Sequence, residues 1–235
     1  MTSLVAALLL GVLVLSSPGW AQTPSVLDIP TRPGVTQRVL VLGPERPRAA
    51  VLLFAGGRGG LQITPSGSLT WGEGNFLIRS RQLFASHGLR VVLVDAPSDR
   101  RQPPYLSGFR QRPEHAADVK AVIAAVRRQA GVPVWLVGTS RGTQSVGFLA
   151  TQLTGADGGP DGIVLTSTIL TDQPGNRPVP GMPLRNITVP TLVMHHRQDG
   201  CAHCKYADLP TLMDGLSRVP RKELLTFDGG ASRGD

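Results

Sequence analysis

The sequence predicts an α/β fold: one domain built on a mostly parallel, doubly wound sheet flanked by helices. Three observations carry that reading. Short apolar runs alternate with stretches of helical periodicity from residue 38 to residue 227. The runs are apolar almost throughout rather than every second residue, as in parallel strands buried on both faces. One of them, Val132-Pro-Val-Trp-Leu-Val137, passes directly into Gly138-Thr139-Ser140-Arg141-Gly142 and then into a helix-like stripe.

In chain order, residues 4 to 15 (LVAALLLGVLVL) are an uninterrupted apolar stretch of signal-peptide length, too short to span a bilayer securely. Gly19-Trp20-Ala21 is a plausible cleavage site ahead of Gln22. Residues 1 to 21 are therefore read as an export signal, with an uncleaved amino-terminal anchor as the competing reading because no Lys or Arg precedes the apolar stretch. The expected location is the periplasm or beyond, with no stable membrane span after cleavage. Residues 22 to 37 read as a Pro-rich lead-in, and residues 38 to 235 as the folded domain.

Arg38-Val-Leu-Val-Leu42 and Ala49-Ala-Val-Leu-Leu-Phe54 read as strands separated by a Gly-Pro turn. Asn75 is placed to cap a helix that runs to about His87 and stops at Gly88. Leu89 to Val94 is the next strand, leading into Asp95-Ala-Pro-Ser-Asp99. Pro113 suits a helix start, with Val119, Val122, Ile123 and Val126 as its buried stripe. After the run at 132–137, Val146, Leu149, Ala150 and Leu153 recur at the spacing of one buried helix face. Gly162 to Leu165, continuing to Leu170, is the next strand. Residues 171 to 187 read as a surface excursion or small lid. A strand at 189–194, a helix at 206–216 and a last strand at 223–227 follow.

A length of 235 residues suits one α/β domain better than two. The net charge of +8 is carried overwhelmingly by Arg, since Lys occurs only at 120, 205 and 222. These arginines are scattered, without a dense basic run or many aromatics to stack on bases, so no nucleic-acid partner is expected.

A strand running into Gly-x-Ser-x-Gly and a helix is a nucleophile elbow, which projects its serine above the sheet edge. A serine hydroxyl needs a base to take its proton and N–H donors for the oxyanion that forms. Candidate donors are Gly57 and Gly56, in the glycine-rich stretch Ala55-Gly-Gly-Arg-Gly-Gly60, and Arg141, the residue after the serine. A phosphate-cradling loop is the rival reading of that stretch, but no Gly-Lys-Ser/Thr follows it. Asp199, just beyond a late strand, fits the chain order of nucleophile, then acid, then histidine, with Asp172 as reserve.

The base should follow the last strand, yet Asp228 to Asp235 contains no histidine; the five are 87, 115, 195, 196 and 203. His87 reads as a helix-end residue and His115 as exposed in a first helical turn, while His195 and His196 lie on the acid loop. Cys201 and Cys204 read as a disulfide in an exported chain. His195, His196, Cys201, His203 and Cys204 are also the residue types of a soft metal or redox module. No cofactor or metal is assigned.

At these positions the chain resembles the exported bacterial α/β-hydrolases of the broad dienelactone-hydrolase-like and esterase group, over about residues 38 to 235. The resemblance rests on Asn75-Phe-Leu-Ile-Arg-Ser-Arg81, Asp95-Ala-Pro-Ser-Asp99, Trp135-Leu-Val-Gly-Thr-Ser-Arg-Gly142 and the His-His-x-x-Asp stretch ending at Asp199. It implies the α/β-hydrolase fold and a small-molecule acyl substrate. Ser140 is then the nucleophile, Asp199 the acid and the Gly56-Gly57 turn part of the oxyanion hole. It also implies a catalytic histidine after a glycine-rich tail like Asp228-Gly229-Gly230, beyond the last residue here, and a cysteine there that would leave Cys201 or Cys204 without its partner. The alternatives are a non-catalytic binding protein on the same fold, or the metal or redox module at 195–204.

Overall fold

In the computed structural model, residues 21–172 and 177–230 are described. Eight strands form one sheet: β1 (Ala21–Arg32), β2 (Val35–Pro44), β3 (Ala49–Phe54), β4 (Leu89–Pro97), β5 (Val134–Thr139), β6 (Gly162–Thr166), β7 (Thr191–His196) and β8 (Lys222–Phe227). Their order across the sheet is β1-β2-β4-β3-β5-β6-β7-β8. β2 runs antiparallel to both neighbours, and every pair from β4 to β8 is parallel. Among the described residues five α-helices accompany them: α1 (Phe76–Arg79), α2 (Arg81–Ser86), α3 (Pro113–Ala130), α4 (Arg141–Gln152) and α5 (Leu209–Gly215).

The strand alternation sorts the apolar side chains into two layers. Val39, Val41, Ala50, Leu52, Phe54, Val92, Leu136, Leu165 and Val193 pack with the stripes of α3, α4 and α5 into one large core. The expected stripes Val119, Val122, Ile123, Val126 and Val146, Leu149, Ala150, Leu153 are all buried there. On the other face, Leu40, Val51, Leu53, Val91 and Leu93 pack beneath Leu61, Ile63, Leu77 and Ile78. Among the described residues that cover stops at the middle of the sheet. From β5 to β8, Trp135, Val164, Leu192 and Met194 are partly exposed, and Leu225 and Phe227 are exposed. Part of this open half is a cavity of about 340 Å³.

The structure corrects several expectations. The lead-in is not outside the sheet: residues 21 to 32 form β1, an edge strand whose prolines sit where a missing ladder hydrogen bond is tolerated. β1 is fixed to α3 by Arg32, whose guanidinium donates to both carboxylate oxygens of fully buried Asp118 at 2.8 and 2.9 Å. The single helix read from Asn75 to His87 is two short helices broken at Ser80 (φ −89°, ψ 0°), and Asn75 makes no side-chain cap bond. Gly88, at φ +77°, does end the second. The strand read as far as Leu170 ends at Thr166, because Ser167 turns to φ +43°.

The segment read as a surface excursion is partly core: Val179, Met182, Leu184 and Ile187 are buried against α4 and α5. Residues 173–176, within that segment, lie outside the described residues, as does the export signal through residue 20. Among the described residues no helix is long and apolar enough to cross a membrane.

Candidate active site

β5 ends at Thr139 and α4 starts at Arg141, so Ser140 alone makes the turn, at φ +51° and ψ −126°. This backbone region costs a non-glycine residue of order 1–3 kcal/mol and persists only where its surroundings hold it. They do. The Ser140 N–H donates to the Thr166 carbonyl at 3.0 Å, and the Ser140 carbonyl accepts from Thr143 N–H (2.9 Å) and Thr143 Oγ1 (2.6 Å). The motif glycines set the closeness of strand and helix. A Cβ on Gly142 would lie 2.0 Å from the Phe54 carbonyl oxygen, and one on Gly138 would lie 2.7 Å from the Gly142 carbonyl carbon and oxygen.

β3 lies beside β5, and its end delivers the glycine-rich loop to the elbow. A Cβ on Gly56 would sit 3.1 Å from Ser140 Cβ and 3.4 Å from Asn75 Nδ2, so the Gly56 backbone backs directly onto Ser140. The loop is held from behind. Leu106 N–H donates to the Arg58 carbonyl at 3.0 Å. The carboxylate of buried Asp95 accepts from the N–H groups of Leu61, Gln62, Ile63 and Ala96 at 2.7–3.1 Å. Asn75, read from the sequence only as a cap, instead brings its carboxamide beside Gly56 and Ser140, with Oδ1 buried and unpartnered.

The surroundings of Asp199 are built differently. Asp199 lies past the end of β7 and is partly buried; its Oδ1 accepts from Cys201 N–H at 3.0 Å. Its Oδ2 lies 3.9 Å from His195 Nδ1, too long for a hydrogen bond. His195 is buried, its Nε2 accepts from Thr168 N–H at 3.1 Å, and burial holds its pKa below the usual imidazole value. His196 accepts from Gln198 N–H on Nδ1 (3.0 Å), which leaves Nε2–H to donate to the Gly229 carbonyl at 2.9 Å. His203 Nδ1 faces Thr171 Oγ1 at 3.4 Å. Among the described residues Ser140 Oγ makes no hydrogen bond to a histidine. A cavity of about 360 Å³ is lined by Phe76, Thr166, Ser167, Met194, His195, His196 and Phe227.

His115 is not exposed as expected. Its ring is edge-on to Phe54 and Phe109, both nitrogens lack partners, and burial pushes its pKa down to about 3. Cys201 and Cys204 are joined as a disulfide. Asp199 lies close to both sulfurs, but sulfurs bonded to each other have no thiolate to offer a metal.

No family model matches the chain, and no curated protein matches it. Solved structures do match, and they define the architecture as the α/β-hydrolase fold. A cold-adapted esterase from an Arctic intertidal metagenomic library aligns at a TM-score of 0.59 and 15% identity, over 92% of this chain and 90% of that one. Esterase 2 of Thermogutta terrifontis aligns at 0.59 and 17% identity, over 93% and 88%. An α/β serine hydrolase without a lid, from Xanthomonas campestris, aligns at 0.54 and 17% identity, over 89% and 87%.

Proposed function

We propose that this protein is a serine hydrolase that cleaves an ester, lactone or related small acyl compound through an acyl-enzyme on Ser140. The observation that carries the reading is the strained Ser140 held against the Gly56 backbone. In this reading a base takes the Ser140 proton and Oγ attacks the acyl carbon. The oxyanion is met by the N–H groups of Gly57, Gly56 and Arg141. The departing alkoxide takes the proton back from the base, and water then releases the acyl group by the same steps. In this reading Asp199 orients the imidazole that serves as base. The esterases and serine hydrolases among the structural neighbours support this class of reaction. The apolar stretch at 4–15 supports placing the activity outside the cytoplasm.

A second reading, a non-catalytic binding protein on the same fold, is favoured by the missing hydrogen bond between any described histidine and Ser140. One experiment separates the two. A fluorophosphonate probe followed by peptide mass spectrometry should label Ser140 and leave Ser140→Ala unlabelled. No labelling of folded, intact full-length protein would sink the hydrolase reading in favour of the binding one.

A further inference from the structure

Arg110 is among the largest fully buried side chains, 1% exposed, and sits in the turn that precedes α3. Among the described residues it has no carboxylate within ion-pair reach. Its Nη1 donates to Ser145 Oγ at 2.9 Å, one turn into α4 from the nucleophile. Its Nη2 donates to the carbonyls of Ala55 (3.1 Å) and Gly57 (3.3 Å). Burial lowers its pKa to about 9, with Arg141 adding repulsion, and leaves it charged near neutral pH. Removing such a charge from water without a counter-ion is costly, so the fold retains it against a penalty.

The geometry points to Arg110 as a positioning residue that staples the glycine-rich loop to the nucleophile helix and aims the oxyanion donors. This rests on the hydrolase reading. In a trans peptide the C=O and the following N–H point in opposite directions. Drawing the Ala55 and Gly57 carbonyls onto Arg110 therefore turns the N–H groups of Gly56 and Arg58 away from it. The peptide between those two planes carries the Gly57 N–H and is held at both ends. The other arm, through Ser145, fixes the distance from this loop to α4, whose first residue supplies the Arg141 N–H. Gly59 makes room for the device, since a Cβ there would fall 2.4 Å from Arg110 Nη2. A planar fork reaching three acceptors on two elements is a task for guanidinium that an ammonium cannot fully repeat. The buried positive charge also favours an oxyanion developing on the far side of the loop.

The test uses the full chain, an aryl ester substrate, and rates normalised to sites titrated with the fluorophosphonate. Misplacing donors by about 1 Å costs about 10²-fold, so Arg110→Met should lose about that in kcat with KM nearly unchanged. Arg110→Lys should recover part of the loss. Ser145→Ala, which cuts one arm only, should lose about 10-fold on the same reasoning. Wild-type kcat in folded Arg110→Met overturns the proposal. If Arg110→Met does not fold, wild-type kcat in Ser145→Ala overturns it. Wild-type protein that takes no label sinks the hydrolase reading instead, and amide exchange then decides for the staple. Faster exchange at Gly56, Gly57 and Arg58 in Arg110→Met, or in Ser145→Ala where that variant alone folds, supports it; unchanged exchange overturns it.

Discussion

The Ser140 half of the candidate site and the Asp199 half are built by different means. At Ser140 the geometry is set by neighbouring backbone: a strained turn held by three hydrogen bonds and glycines that leave no space for a side chain. At Asp199 the geometry is set by a loop whose partners lie far along the chain. Arg197 N–H donates to the Phe227 carbonyl, and His196 donates to that of Gly229. The layers beneath do not separate the two halves, since β5 and β7 both border the half-open face and both pack into the large core on the other. Placement thus comes from close backbone packing of the elbow against β3 and β6 on one side and from a loop tied to the end of β8 on the other.

The largest test of this contrast is at the nucleophile itself. Ser140→Ala should lower esterase turnover by at least about 10³-fold, while Asp199→Asn should cost less, as triad acids do. Steady-state kinetics on purified variants measures both, and equal losses would erase the asymmetry. Next is Gly142→Ala, which forces a methyl group to 2.0 Å from the Phe54 carbonyl. A backbone clash of this kind should cost about 3 kcal/mol or more, read by chemical denaturation, with loss of Ser140 labelling.

A third test is pH. His115 has a folded pKa of about 3, so below about pH 6.5 the unfolded chain takes up the proton first. Its contribution to stability is full above that value and falls by about 1.4 kcal/mol per unit as the pH drops toward 3. Melting curves from pH 7 to 4.5 should be flatter in His115→Leu than in wild type; parallel curves would contradict the assignment. The smallest effect is expected at the acid loop. The Cys201–Cys204 bond closes a very short loop, so its reduction should cost no more than about 2 kcal/mol. A larger drop in melting temperature under dithiothreitol would show the acid half to be as tightly determined as the elbow.

The same division decides what the sequence could tell. The elbow, the stripe on α4, Gly88 and the Pro113 helix start were legible because each is a local pattern with a local cause. The nearness of the Gly56–Gly57 stretch to Ser140 was legible, but its bracing was not: Asp95 and Arg110 reach it from segments distant in the chain. Nothing in Ser107-Gly-Phe-Arg110 marks a buried cation. β1 was hidden because Pro24, Pro30 and Pro33 read as coil, and only its pairing with β2 makes it a strand. His115 looked exposed because a polar first turn usually is; Phe109, folding over it, reverses that.

The clamp between Arg32 and Asp118 has a consequence for the order of folding. The two residues are 86 positions apart, and closing a loop of that size costs about 4 kcal/mol of chain entropy beyond a constant. The β1–β2 hairpin forms from near neighbours, but its docking against α3 is productive only once that helix has settled on the central strands. The amino-terminal edge is therefore expected to dock after α3 and to come free from it once this clamp is broken.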